Sequence, residues 1–335
     1  MIEPVRCKTS LFVNCDCIEG ARRFLPDGSV DLVVTDPPYG IGGDRLDRHY
    51  NRDERHVVDG YVEVPADKYG AFSAAWVAEA ARVLRPGGAL FVVSGYTHLY
   101  EVLGALRSSP LVEVNHVIWK YPFGVFTQRK FVSSHYHVLY WARPGGPRTF
   151  NLECRYGLDE RDESGGSLNY RDREDVWTIG REYKPGKAKN RNELPQALLE
   201  KIILYASNEG DLVCDLFLGG GSSARAAIGL GRRFVGFELS PAIFAARLPE
   251  LRRLEPGSRL SSLRRPAAAP RARRGRAWTE EEDRALAAAY ARLRAGGLGK
   301  GVRFVVAHDF PPAGGAACGA GGAEAVVAAG AAGGG

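Results

Sequence analysis

Residues 211–238 read DLVCDLFLGGGSSARAAIGLGRRFVGFE, and this stretch decides the fold. Asp211-Leu212-Val213-Cys214-Asp215 is a short apolar run of strand type. Gly219-Gly220-Gly221 is a tight loop, Ser222 to Leu230 has helical spacing, and Arg233-Phe234-Val235-Gly236-Phe237-Glu238 is the next strand. Such a β-α-β unit implies parallel strands joined by a crossover helix, hence an α/β, doubly wound, mostly parallel sheet. A glycine loop between strand and helix also suits a nucleotide cofactor, because bare backbone approaches the ligand and the helix start offers free N–H groups. Glu238, roughly 20 residues on, is placed to accept from both hydroxyls of a ribose. The same pattern also serves a plain strand-to-helix turn, so it is not specific by itself.

Working outward, Leu11-Phe12-Val13 reads as a strand ending at Asn14-Cys15-Asp16. Val30-Asp31-Leu32-Val33-Val34 is another, running into Asp36-Pro37-Pro38-Tyr39. Tyr69 to Leu84 is predicted helical and is stopped by Arg85-Pro86-Gly87-Gly88. Ala89 to Val93, Val114 to Trp119 and His137 to Trp141 follow as strands. Residues 143–190 are polar and irregular, a length that inside a folded domain points to function. Helical spacing returns with Leu198, Leu199, Ile202, Ile203 and Tyr205. After residue 250 the core is expected to end. A basic Arg/Pro/Ala linker follows over 251–276, then a helical piece within 277–310, where Thr279 and Glu282 form a capping box. The Gly/Ala-rich stretch 311–335 is predicted to be disordered.

The 335 residues are 45% hydrophobic and carry a net charge of +6, which mildly favours an anionic partner. Arginine crowds the stretch from Arg247 to Arg276, read either as a nucleic-acid arm or as a solvated linker. No apolar run reaches a membrane span, and Met1-Ile2-Glu3-Pro4 does not open like a signal peptide, so a soluble intracellular protein is expected. The six cysteines match no zinc spacing, so no metal is expected and the thiols are taken as reduced.

Asp36-Pro37-Pro38-Tyr39 carries the chemistry. The two prolines fix φ and remove two backbone donors. The Asp36 carboxylate and Pro37 carbonyl then make two acceptors aimed at one point, which matches the two hydrogens of an exocyclic amino group. Holding both pulls the nitrogen toward sp³ character and exposes its lone pair. Tyr39 offers a flat face for base stacking, worth roughly 1–3 kcal/mol.

With these residues the chain resembles the beta-class DNA amino-methyltransferases, over about residues 9–250. The resemblance rests on Asn14-Cys15-Asp16-Cys17, on Ser29 to Gly40, on Leu84-Arg85-Pro86-Gly87-Gly88, on Asp175-Val176-Trp177 and on Leu198 to Ile203. It continues through Asp215-Leu216-Phe217-Leu218-Gly219-Gly220-Gly221-Ser222-Ser223 and Gly231 to Glu238. The catalytic loop precedes the cofactor loop, which is the permuted order of that class. The resemblance implies a seven-stranded Rossmann-like sheet and S-adenosylmethionine as cofactor. Asp215, Phe217, Gly219 and Gly221 would surround its methionine moiety, Glu238 its ribose and Asp16 its adenine. It further implies a double-stranded DNA substrate whose target base is flipped out.

Target recognition would fall in an inserted region of about 121–190. Lys120, Arg129, Lys130, Arg171 and Arg173, with Lys184, Lys187 and Lys189, are placed to meet phosphates or guanine edges. A homodimer and a cognate restriction endonuclease are open as partners. Localisation would be cytoplasmic and nucleoid-associated for a bacterial or phage source, nuclear for a eukaryotic one.

Leu194-Pro195 stands where the family usually has Lys-Pro, and Leu216 and Gly219-Gly220-Gly221 depart mildly from its cofactor loop. Trp278 to Asp283 resembles the first helix of Myb/SANT-like modules, without the later helices. A cytosine C5 enzyme would need a Pro-Cys nucleophile, which the sequence lacks. Enzymes acting on protein glutamine or RNA generally carry Asn-Pro-Pro-Tyr after the glycine loop. A DNA-binding protein with decayed catalysis is a further alternative. Asp at the first loop position leans toward adenine N6, with cytosine N4 left open.

Overall fold

The structure, a computed structural model, describes residues 2–39, 64–122, 127–180 and 193–260, Arg284, and two strands at 304–308 and 324–328. Residues 1–264 form one compact unit and 265–335 another. The first opens with β1 (Val5–Cys7), β2 (Ser10–Asn14), α1 (Cys17–Phe24) and β3 (Val30–Thr35). Next come α2 (Tyr69–Val83), β4 (Leu84–Ser94), α3 (Leu99–Arg107), β5 (Val112–Lys120) and β6 (His135–Ala142). It closes with α4 (Leu168–Asp172), β7 (Val176–Thr178), α5 (Gln196–Ala206), β8 (Leu212–Asp215), α6 (Ser222–Gly229), β9 (Arg233–Glu238) and α7 (Pro241–Leu251).

These strands form one sheet in the order β1-β2-β9-β8-β3-β4-β6-β5-β7. From β2 to β4 the neighbours run parallel, and β6 lies antiparallel to both β4 and β5. The sheet is thus mixed, with nine strands where seven were expected. The seven expected strands are the long ones. The two extra strands, β1 and β7, have three residues each and sit at the edges. So short a segment shows no periodicity, and it becomes a strand by pairing with a neighbour already in place.

Both faces of the sheet are covered. Leu32 and Val34 point into the cluster that holds α5, α6 and α7, while Val30 and Val33 join the cluster of α1, α2 and α3. From Leu32 to Val34 the side chains alternate between the two faces, and the register shift between Val30 and Leu32 puts Val30 on the side of Val33, so all four apolar side chains are buried. Each such side chain contributes roughly 1.5–3 kcal/mol by leaving water. The strand β4 begins at Leu84, not Ala89, because Leu84 already pairs with Val30 before the Pro-Gly-Gly irregularity. Asp16 starts α1 by accepting from the Ile18 and Glu19 N–H groups at 2.9 and 3.1 Å. Pro241 at the first turn of α7 follows the cap Ser240.

The ordered chain continues past residue 250. Gly257 and Arg259 donate their N–H groups to Ile228 and Gly229, each at 2.9 Å, and Leu254 and Leu260 pack on the core. The start of the expected linker is therefore part of the domain. In the second unit, β10 (Phe304–His308) and β11 (Glu324–Ala328) pair antiparallel, with Val306 opposite Val326. Strand β11 falls within the Gly/Ala-rich stretch 311–335, where a pair of β-branched valines interrupts that background. Lys184, Lys187, Lys189 and Trp278 to Asp283 lie outside the described residues. No described helix is long and apolar enough to cross a membrane.

Candidate active site

The parallel strands β3, β8 and β9 end on one edge of the sheet, at Thr35, Asp215 and Glu238. Open α/β sheets hold ligands at this edge. The loops that leave it were read from sequence as two separate motifs, and here they meet. The Thr35 hydroxyl donates to Asp215 Oδ1 at 2.9 Å, across 180 positions of chain.

Asp36 to Tyr39 continue directly from β3. The Tyr39 hydroxyl donates to Asp36 Oδ1 at 2.5 Å. A carboxylate has about four acceptor directions, so this bond orients Asp36 without exhausting it. The Pro38 carbonyl accepts from the Tyr69 hydroxyl at 2.7 Å, and the Tyr69 ring stacks on His98 at 4.0 Å. Pro38 thereby anchors the loop to α2. The Tyr39 ring lies 5.7 Å from the Tyr136 ring, close to parallel. Gly95 adjoins this aromatic corner, where a Cβ would sit in ordinary contact at 3.8 Å from both rings.

The glycine loop is held just as firmly. Asp215 is buried and accepts from Thr35, from the Phe217 N–H at 3.0 Å and from the Ser223 hydroxyl. Burial pushes its carboxyl above the usual range, and the three donors oppose that shift. Its oxygens thus tie β3, the loop and α6 together. Glu238 accepts from the Gly219 N–H at 2.9 Å and from the Ser240 N–H at 2.7 Å. Burial raises its carboxyl as well. Phe217 packs its ring at 5.7 Å from Phe72 and 5.9 Å from Trp76. Gly219 and Gly221 have φ of +50° and +74°, a region glycine enters without strain. An alanine at 221 would also bring its Cβ within 2.7 Å of Leu251 Cδ2. Gly221→Ala is therefore expected to cost about 1–3 kcal/mol, read as a lowered midpoint in urea.

Asp16 stands two residues beyond Asn14, whose side chain donates to the Glu238 carbonyl at 2.6 Å. It opens an exposed groove lined also by Ile18, Glu19, Arg22 and Arg23. Asp16, Asp215 and Glu238 thus share one sheet edge with the glycine loop.

The basic residues expected at DNA divide into two groups. Lys120, Arg129 and Lys130 are exposed, with Lys120 ending β5 beside His135. Arg171 instead pairs with Asp162, and Arg173 bonds the Asn169 side chain at 2.9 Å. Both guanidiniums hold the 143–180 segment together. The sequence reading missed Thr35, Ser223, Tyr69 and Tyr136. Thr35 and Ser223 adjoin recognised motifs and were within reach of it. Tyr69 and Tyr136 carried no local signal, because only the fold brings α2 and β6 to the loop.

A family model described as DNA methylase matches residues 30–247. Among relatives, the type II methyltransferase M.BamHI of Bacillus amyloliquefaciens is 31% identical over 244 residues, covering 68% of this chain and 53% of its own length. The type II methyltransferase M.HinfI of Haemophilus influenzae is 27% identical over 268 residues, 76% of this chain and 72% of that one. The aligned part thus spans about half the length of the first of these. In fold, the PvuII DNA methyltransferase, a cytosine-N4-specific enzyme, superposes with a TM-score of 0.55 at 16% identity, over 76% of this chain and 90% of that one. The match across both loops and the strands between them shows that the chain belongs to the N6/N4 DNA methylase family.

Proposed function

We propose that the chain is a site-specific DNA methyltransferase that moves the methyl group of S-adenosylmethionine to the exocyclic amino group of a flipped-out base, adenine N6 in preference to cytosine N4. The observation that carries this reading is the Thr35–Asp215 hydrogen bond at 2.9 Å, which couples the Asp36 loop to the glycine loop at one edge. The residues suit the cofactor: a glycine loop at Gly219 to Gly221, a desolvated carboxylate at Glu238 for ribose hydroxyls and Phe217 beside the loop, with Asp16 assigned to the adenine by the family resemblance. When bound, S-adenosylmethionine supplies an electrophilic methyl group on a sulfonium.

The protein's own part is positioning. Asp36 and the Pro37 carbonyl hold the two amino hydrogens, and the lone pair is left facing the glycine loop. Tyr39 stacks on the base with Tyr136 behind it. After transfer the amino nitrogen carries one methyl group and has lost one proton, for which the Asp36 carboxylate is the adjacent acceptor. Lys120, Arg129 and Lys130 supply phosphate contacts. The preference for adenine rests on Asp36 at the first loop position.

The test is incubation of the purified chain with S-adenosylmethionine and unmethylated DNA, followed by mass analysis of the released nucleosides. N6-methyladenine is the expected product. N4-methylcytosine would reassign the base, and DNA left unmodified across many sequences would overturn the reading.

A further inference from the structure

The Asp36 loop lacks a common means of fixing a backbone. Pro37 and Pro38 have no N–H groups, so neither can tie the loop to a neighbouring segment by donating. The bond from Tyr39 to Asp36 is internal to the loop and does not place it against the domain. The stacked rings of Tyr39 and Tyr136 connect it to β6, but stacking tolerates offset between rings. A directional tie comes from the Tyr69 hydroxyl, which donates to the Pro38 carbonyl at 2.7 Å.

Tyr69 is itself closely held. It opens α2 and is 1% exposed. The His98 ring lies 4.0 Å from the Tyr69 ring with the planes 13° apart, and His98 directly precedes α3. Glu101, in the first turn of α3, brings Oε2 to 3.6 Å from His98 Nδ1. The Tyr69 ring also meets Phe72 edge to face at 5.7 Å, and Phe72 lies 5.7 Å from Phe217 beside the glycine loop. The starts of α2 and α3 thus converge on the Pro38 carbonyl, and a ring packed in this way aims its hydroxyl in one direction.

We propose that Tyr69 is a positioning residue for methyl transfer, and that His98 acts through it by holding its ring. The inference rests on the methyltransferase reading above. In this role Tyr69 needs no contact with base or cofactor: its hydroxyl sets where the Asp36 carboxylate and the Tyr39 ring stand. Two costs of different size then separate. One buried hydrogen bond adds little net stability. A reacting group displaced by about 1 Å can slow a reaction about a hundredfold. Loss of the hydroxyl should therefore show far more in the rate than in folding.

The test compares single-turnover methyl transfer, at saturating S-adenosylmethionine and DNA, with calorimetric cofactor binding, DNA affinity and thermal melting of the same full-length variants. Tyr69→Phe removes one oxygen and keeps the ring. It is expected to slow transfer by about tenfold to a hundredfold. Its melting temperature is expected to fall by only about 2–4 °C, with both affinities at the wild-type level. His98→Phe keeps a flat ring against Tyr69 and is expected to retain more transfer than His98→Ala. Adding His98→Ala to Tyr69→Phe should slow transfer little further, because the hydroxyl that His98 helps to aim is already gone. His98→Ala serves alone if Tyr69→Phe does not fold. Wild-type transfer in Tyr69→Phe, or a loss matched by weaker cofactor or DNA binding, would overturn the positioning role while leaving the methyltransferase reading intact. Independent, multiplying losses in the double variant would overturn the part given to His98. A wild type that methylates no DNA would overturn both readings.

Discussion

Methyl transfer by Asp36→Ala, at saturating cofactor and DNA, is expected to fall by about two to three orders of magnitude, the range seen when one preorganised polar group is removed from a transition state. Affinity for S-adenosylmethionine is expected to stay at the wild-type level, because Asp36 lies on the β3 loop and the cofactor cradle is built by the loop after β8. The side chain accepts from the Tyr39 hydroxyl at 2.5 Å. Alanine releases that hydroxyl and removes the acceptor for the amino hydrogens together. Asp36→Asn separates the two effects. It keeps a partner for Tyr39 but presents an uncharged oxygen, so it should retain more activity than alanine while remaining well below wild type. Single-turnover transfer of labelled methyl groups, with cofactor binding measured separately, is the check. Wild-type turnover in Asp36→Ala would remove Asp36 from the mechanism.

Asp215→Ala is expected to destabilise the domain by about 2–4 kcal/mol, and to loosen the cofactor loop with it. The carboxylate accepts from the buried hydroxyls of Thr35 and Ser223 and from the part-buried Phe217 N–H. Each donor left buried without a partner costs about 1–3 kcal/mol, and some of that loss is recovered by rotation of the two hydroxyls. The pH dependence has a definite sign. Burial holds this carboxyl above its unfolded value, so the folded state binds its proton more tightly than the unfolded chain does. The group's contribution is therefore most favourable at low pH. It declines as pH rises from the unfolded value through the raised one, and is constant above that. Thermal melting across this window should show the decline in wild type and lose it in Asp215→Asn. A melting temperature for Asp215→Ala equal to wild type would sink the structural role assigned to the carboxylate.

Both expectations depend on contacts that differ in how far they could be read in advance. Asp36 to Tyr39 is legible in the sequence, because an acidic residue followed by two prolines and an aromatic at a strand end is a local pattern of adjacent residues. Asp215 was singled out from its place before the glycines and assigned to the cofactor. The fold gives its oxygens three protein donors, and one of them, Thr35, comes from the other motif. Arg171 and Arg173 show the same limit. Their charge suggested DNA, but Asp162 and Asn169 lie within reach once the segment folds. Charge is visible in a sequence; the neighbour that engages it is not.

The local pattern from Asp211 to Glu238 was enough to determine the α/β class, the parallel crossover and the position of the glycine loop. Periodicity and glycine punctuation are properties of adjacent residues, and the long strands buried on both faces have room to express them. The tertiary structure alone decided that β9 lies between β2 and β8, that β1 and β7 extend the edges, and that Tyr69 and Tyr136 flank the Asp36 loop. It also decided that His98 stacks on Tyr69. Each of these depends on which distant segment a residue meets, and the choice of partner is made by the packing of the whole domain.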